Sequence, residues 1–136
     1  MEINELIKHP AQLKEIDLIK VTCDKSDKYN PENPEINISA NVESEIISPE
    51  KGETHIEISI NGEGFNIHLL EKGVFEFEGI VDEENIKRFL EVQGLRLMWS
   101  YVRETIFDFS GKLLRKPIML PTIDVLKTIE SAEARR

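Results

Sequence analysis

The chain has one cysteine among 136 residues, Cys23, so an intramolecular disulfide framework is excluded. It also lacks an apolar run approaching the ~18 residues of a membrane-spanning helix, so no membrane insertion is expected. Bases are in deficit, 17 Lys and Arg against 26 Asp and Glu, for a formal charge of −9 and a pI near 4.9. Nucleic-acid binding needs clustered cations to neutralise phosphate, and an anionic membrane surface needs the same. Neither partner is expected. The opening MEINELIKHP has neither the basic nor the apolar region of a secretory leader. Together these absences predict a cytoplasmic protein.

Catalytic and metal-binding signals are equally thin. The three histidines, His9, His55 and His68, lie far apart without ligand spacing, so no metal site is expected. Cys23 has no base at a supporting distance in sequence, and a lone strand cysteine ordinarily packs as a small hydrophobe. GEGFNIH, residues 62–68, lacks the third glycine of a phosphate loop and leads into a strand. Carboxylates such as Glu76 and Glu78 fall on apparently solvated faces, where nothing separates their pKa values for acid–base work. No enzyme and no cofactor are expected. No repeat or linker divides the chain, and residues 1–136 suit one domain with one core.

What is present is a pattern that changes period once. Ile3, Leu6 and Ile7 predict one or two helical turns ended by Pro10. Residues 13–24 read as a strand and DKSDKYNPENP, 24–34, as a loop. Ile36, Ile38, Ala40 and Val42 then alternate with Asn37, Ser39, Asn41 and Glu43, a strand running through Ile46 to a turn with Pro49 and Gly52. HIEISI, 55–60, is a third strand, and Asn61-Gly62 a hairpin reversal. Phe65, Ile67 and Leu69 begin a fourth, interrupted by a bulge at Lys72-Gly73 before Phe75 and Phe77 resume the apolar face.

From Gly79 the period is helical. Asp82, Glu83 and Glu84 suit a helix N-terminus, Ile86, Phe89 and Leu90 follow, and Gly94 reads as a stop. A second helix spans about 95–114, KPIMLP is extended, and Thr122 caps a last helix with Ile123, Leu126 and Ile129. The fold class is α+β: a four-stranded antiparallel meander followed by helices packed on one face.

The informative element is LRLMWSYVRETIFDF, residues 95–109. Leu95, Met98, Val102, Ile106, Phe109 and Leu113 form one stripe, enough to cover a sheet. Leu97, Trp99, Tyr101, Phe107 and Leu114 are surplus, and the clear polar strip is Arg103, Glu104, Asp108 and Lys112, the last two spaced for an ion pair. Burying one Leu or Phe is worth about 1.5–3 kcal/mol, so a second surface must cover the surplus. Either the terminal helix with PIMLP supplies it or a sister subunit does.

KGVFEFEGIVDEE, 72–84, followed by SYVRETI, 100–106, resembles the SecB family of protein-export chaperones. That family has a glycine-plus-aromatic strand end, an acidic helix start and a Tyr-Ala-Arg-Glu helix core. Tyr101, Arg103 and Glu104 match the core, with Val102 in the alanine place, and KPIMLPTID loosely matches the extended segment before the last helix. The resemblance covers residues 65–125. Departures are LRLMWS in place of a proline-rich stretch, KLLRKP in place of a glycine-aromatic-proline one, and His68 where an acid is expected.

The resemblance implies an ATP-independent holdase, assembled as a homotetramer of paired dimers. Unfolded or extended clients, preproteins for the Sec pathway among them, would lie in apolar grooves between sheet and terminal helix. The groove residues expected here are Ile38, Val42, Phe65, Leu126 and Ile129, and the oligomer interface is assigned to Trp99, Tyr101, Phe107 and Gly111. Asp24 is the counterpart of an acid that docks on the SecA motor. A branch of the family serves toxin–antitoxin systems, which is one alternative. Another, outside chaperones, is an interaction module that dimerises through the helix and binds one folded partner.

Overall fold

Alternation of apolar and polar residues builds β1 (Ala11–Lys25), β2 (Ile36–Ser48), β3 (Lys51–Gly62) and β4 (Phe65–Phe77), after which α1 (Glu83–Leu114) and α2 (Val125–Ala134) follow. The computed structural model describes residues 1–32, 35–79 and 82–135. Asn33 and Pro34 of the expected loop, and Ile80 and Val81 of KGVFEFEGIVDEE, lie outside the described residues. The sheet is antiparallel in the order β1-β4-β3-β2. The meander therefore holds for β2, β3 and β4, while β1 returns to pair with β4.

That return brings the β1–β2 connection past the β3–β4 turn, where Ser26 N donates to Gly64 O at 2.8 Å and Tyr29 packs edge-on against Phe65. The expected reversal at Asn61-Gly62 falls two residues later. Gly64 has φ +78°, and a Cβ there would overlap the Tyr29 backbone. Glycine is required at 64 for both reasons.

The expected bulge at Lys72-Gly73 is not found. β4 keeps unbroken register with β3, and the shifts lie in its pairing with β1, between Leu13 and Glu15 and between Leu18 and Lys20. Every odd residue of β4 from Phe65 to Phe77 thus faces α1. Gly73 interrupts the apolar pattern because Met98 Sδ would stand 2.7 Å from a Cβ there. Glu71 interrupts it because the sheet buries a carboxyl at this point.

The two helices expected on either side of Gly94 are one helix of 32 residues, about 48 Å long. Gly94 is buried in its interior, where a Cβ would overlap Thr54 Oγ1. Close approach wins over the propensity cost of a helical glycine, about 1 kcal/mol. Asp82 caps the N-terminus by accepting from Glu84 N at 3.0 Å. Leu90 lies over Gly52, Met98 over Gly73, and Thr105 reaches Glu71, while Leu113 O accepts from Lys25 Nζ at 2.9 Å. α1 therefore crosses the sheet obliquely, from β3 at its start to β1 at its end.

The core between them is Ile56, Ile58, Ile60, Ile67, Leu69 and Phe75 from the sheet, with Leu90, Met98, Val102 and Ile106 from α1. Two end elements differ from expectation. Residues 1–9 form no helix, and Ile3, Leu6 and Ile7 are exposed. So short a segment does not pay its nucleation cost without a surface to pack on. The last helix is capped by Asp124, which accepts from Lys127 N at 3.1 Å, and not by Thr122, so Ile123 precedes it.

Candidate functional site

A catalytic reading fails on geometry. Cys23 faces α1, since it pairs with Ile67, whereas His68 and His55 are on the opposite sheet face. The histidines are engaged there with Glu57 at 2.7 Å and Glu53 at 3.1 Å. Burial raises the Cys23 thiol, and Asp24 raises it further, which is the wrong direction for a nucleophile. Among the described residues no group of three His, Cys, Asp or Glu is placed to hold a metal ion. No helix of the described residues is long and apolar enough to cross a membrane.

What the structure does offer is exposed apolar surface. After α1 the chain turns at Arg115 and runs back along the helix. Ile118 N donates to Ser110 Oγ at 2.7 Å, Arg103 Nε to Leu120 O at 2.9 Å, and Trp99 Nε1 to Pro121 O at 2.9 Å. α2 continues the same way and is tied down by Arg88 to Glu133 at 3.1 Å. Leu120 of this strap and Val125 at the start of α2 are buried. The surplus on α1 is thereby divided. Trp99 is half-buried against its own chain, while Leu97, Tyr101 and Phe107 stay 43–45% exposed. Gly111 is half-buried, with Pro117 Cγ 3.4 Å from where a Cβ would be.

The five expected groove residues do not share one environment. Ile38 on edge strand β2 is 40% exposed and Val42 half-buried, both on the sheet face that bears α1. Leu126 on α2 is 46% exposed and Ile129 half-buried, and α2 packs on α1 and not on the sheet. Phe65 is a core residue, buried beside Tyr29. Exposed Met119 in the strap and Ile47 on β2 belong to the same class of surface, unnoticed in sequence because single apolar residues in irregular or edge segments have no period. Asp24 is exposed on the face of the sheet opposite α1, level with Asn66.

A second surface lies between β1 and α1, where a groove of about 480 Å³ is lined in part by Leu18, Glu71, Tyr101, Glu104, Thr105 and Phe107. Glu71, which no sequence argument singled out, is at its floor and only 1% exposed. Its Oε1 accepts from Thr105 Oγ1 at 2.7 Å, while Oε2 has no hydrogen-bond partner among the described residues. Burial pushes its carboxyl above the usual range, the Thr105 hydrogen bond opposes this, and the like charge of Glu104 adds to the rise. The signal available in sequence was a lone acid at an inward position of a strand.

Comparison with known proteins agrees with this architecture. Residues 13–135 match the family described as preprotein translocase subunit SecB. No curated protein matches the chain. Among solved structures, the fold is similar to the Mycobacterium tuberculosis Rv1957 SecB-like chaperone, solved with a ChAD peptide from the Rv1956 HigA1 antitoxin. That likeness has a TM-score of 0.72 at 16% identity, covering 85% of this chain and 91% of that one. A protein of unknown function from Streptococcus agalactiae is similar at a TM-score of 0.53 and 9% identity, over 82% of this chain and 97% of that one. An α+β fold of four antiparallel strands and two helices and a family match over nearly the whole length lead to one assignment: the chain belongs to the SecB family, whose members are chaperones and not enzymes.

Proposed function

We propose that the protein is an ATP-independent holdase that binds unfolded or extended polypeptide along β2 and α2. The observation that supports this is the exposure of Ile38 and Leu126, 40% and 46%, on regular elements where a folding core would have covered them. Apolar contacts are non-directional, so such a surface accepts many sequences, and several weak contacts along one client add avidity. Val42 and Ile129 would extend the contact, and Phe65 would support it from beneath. The formal charge of −9 keeps the molecule soluble while that surface is open.

The working form in this reading is a cytoplasmic homotetramer. Tyr101 and Phe107 form its interface, with Trp99 and Gly111 at the margin. Preproteins for Sec export are the proposed clients, with Asp24 as a docking point for SecA. A client of the antitoxin kind is the second reading, favoured by His68, paired with Glu57, where export members have an acid. Native protein should bind an apolar dye and delay the refolding of unrelated denatured proteins. A dedicated interaction module would do neither, and that result would remove the holdase reading. Testing a signal-bearing preprotein against an antitoxin segment then separates the two kinds of client.

A further inference from the structure

We propose that residues 1–8 are a tethered occupant of α2: they fold as a short helix over Leu126 and Ile129, and an unfolded client must displace them to bind there. This rests on the holdase reading above and deepens it by naming a segment of the chain that regulates the client surface.

The arm carries a helix signal that its own position does not use. Ile3, Leu6 and Ile7 fall at i, i+3 and i+4 on one helical face, with Glu5 opposite and Glu2 at its margin. All three apolar side chains are 64–90% exposed, and residues 1–9 form no helix. So short a helix needs a surface to form on. A stripe of this spacing is the form in which a helix seats on an apolar seam.

The base of the arm points to the surface. His9 stacks on Phe89 with ring centroids 6.0 Å apart, and its carbonyl accepts from Gln12 Nε2 at 2.7 Å. Pro10 O accepts from Glu78 N at 2.9 Å. Phe89 adjoins Arg88, whose guanidinium holds Glu133 near the end of α2 at 3.1 Å. The arm therefore starts beside the end of α2. Eight helical residues span about 12 Å and Leu126 to Glu133 about 10 Å, so arm and seam match in length.

α2 is open to this occupant, since Val125 alone of its ten residues is buried. Lys127 and the cap residue Arg135 are exposed cations that attract Glu2 and Glu5. β2 suits the arm less well. Lys8 shares a cleft with Ser48 at the end of that strand, but exposed Ile38 lies about 33 Å further on. Glu43 and Glu45 of β2 would also repel the two acids of the arm. The tether presents the arm to α2 at about millimolar effective concentration, well above that of a free client.

The test compares wild type with the triple variant Ile3→Ser, Leu6→Ser, Ile7→Ser. The substituted side chains lie outside the core, so the melting temperature should not change. The probe is a fluorescently labelled, reduced and carboxymethylated protein that stays unfolded. Its dissociation constant should fall about fivefold in the variant, the effect of freeing a surface that the arm fills about four-fifths of the time. Hydrogen exchange should find residues 3–7 protected in wild type at a level independent of protein concentration. Leu126→Ser or saturating probe should release them. An unchanged dissociation constant overturns the proposal and leaves the holdase reading intact. A weaker one makes the arm part of the client surface and overturns it too. Protection that grows with protein concentration places the arm on another copy, against the proposal. Failure of both proteins to bind the probe removes the holdase reading, and the competition with it.

Discussion

Thr105 Oγ1 donates to Glu71 Oε1 at 2.7 Å, joining the middle of α1 to the centre of β4. It is a polar contact inside a largely apolar layer, and it leaves the other carboxyl oxygen without a partner among the described residues. The folded protein holds this proton more tightly than the unfolded chain does, chiefly through burial. Its contribution to stability is therefore full at pH below the unfolded carboxyl's value and is lost as pH rises through the folded value. Glu71→Gln should be more stable than wild type at pH 8, because it removes the charge that the fold otherwise buries without a cation. The gap should narrow toward pH 5. Urea unfolding at the two pH values measures it, and an equal gap at both would disprove the assignment.

Gly94 and Thr54 set how closely the helix approaches the sheet. Thr54 Oγ1 donates to Leu90 O at 2.8 Å and fills the space a Cβ on Gly94 would need. Alanine in a helix interior ordinarily gains about 1 kcal/mol over glycine. Gly94→Ala should instead lose about 1–3 kcal/mol, as overpacking does. Repeated in a Thr54→Ala background, the same change should be neutral or stabilising. A double-mutant cycle by urea unfolding reads the coupling, and additive losses would show that the contact is not the cause.

Gly64 and Gly79 share a positive φ, +78° and +72°, but among the described residues only Gly64 meets a neighbour, the Tyr29 backbone. Gly79→Ala should cost only the conformational term, about 1–2 kcal/mol. Gly64→Ala must also displace the β1–β2 connection and should cost more. Thermal melting of the two variants compares them directly, with equal losses as the outcome that refutes the crowding argument.

These residues also explain how far the sequence could be read. The period-2 runs around Ile38, Ile58 and Ile67 give the strands, and the i, i+3, i+4 stripe from Leu95 to Leu113 gives the helix face. Gly94 misled because a stop and a close-packing glycine look the same until the opposing residue, Thr54, is known. Glu71 and Gly73 mimicked a bulge because their inward placement depends on Thr105 and Met98, distant in the chain. The pairing of β1 with β4 is likewise non-local, and no hairpin signal encodes it. For the candidate site, exposure was the illegible quantity. Ile38 and Phe65 are equally apolar in sequence, and only the edge position of β2 separates them.

That separation can be tested by substitution. Phe65→Ala removes a core side chain and should cost about 3–5 kcal/mol. Ile38→Ser and Leu126→Ser act on side chains 40% and 46% exposed, so each should cost no more than about 1 kcal/mol. If β2 and α2 form the client surface, the paired serine variant should melt near the wild-type temperature yet protect a denatured client poorly. Light scattering of the aggregating client gives the second reading, at a temperature where both proteins are folded. Undiminished protection would place the client elsewhere, and a loss that only tracked the melting temperature would make Ile38 and Leu126 structural. The first result is expected, because an apolar side chain that the fold leaves half in water has most of its burial energy still to gain from a partner.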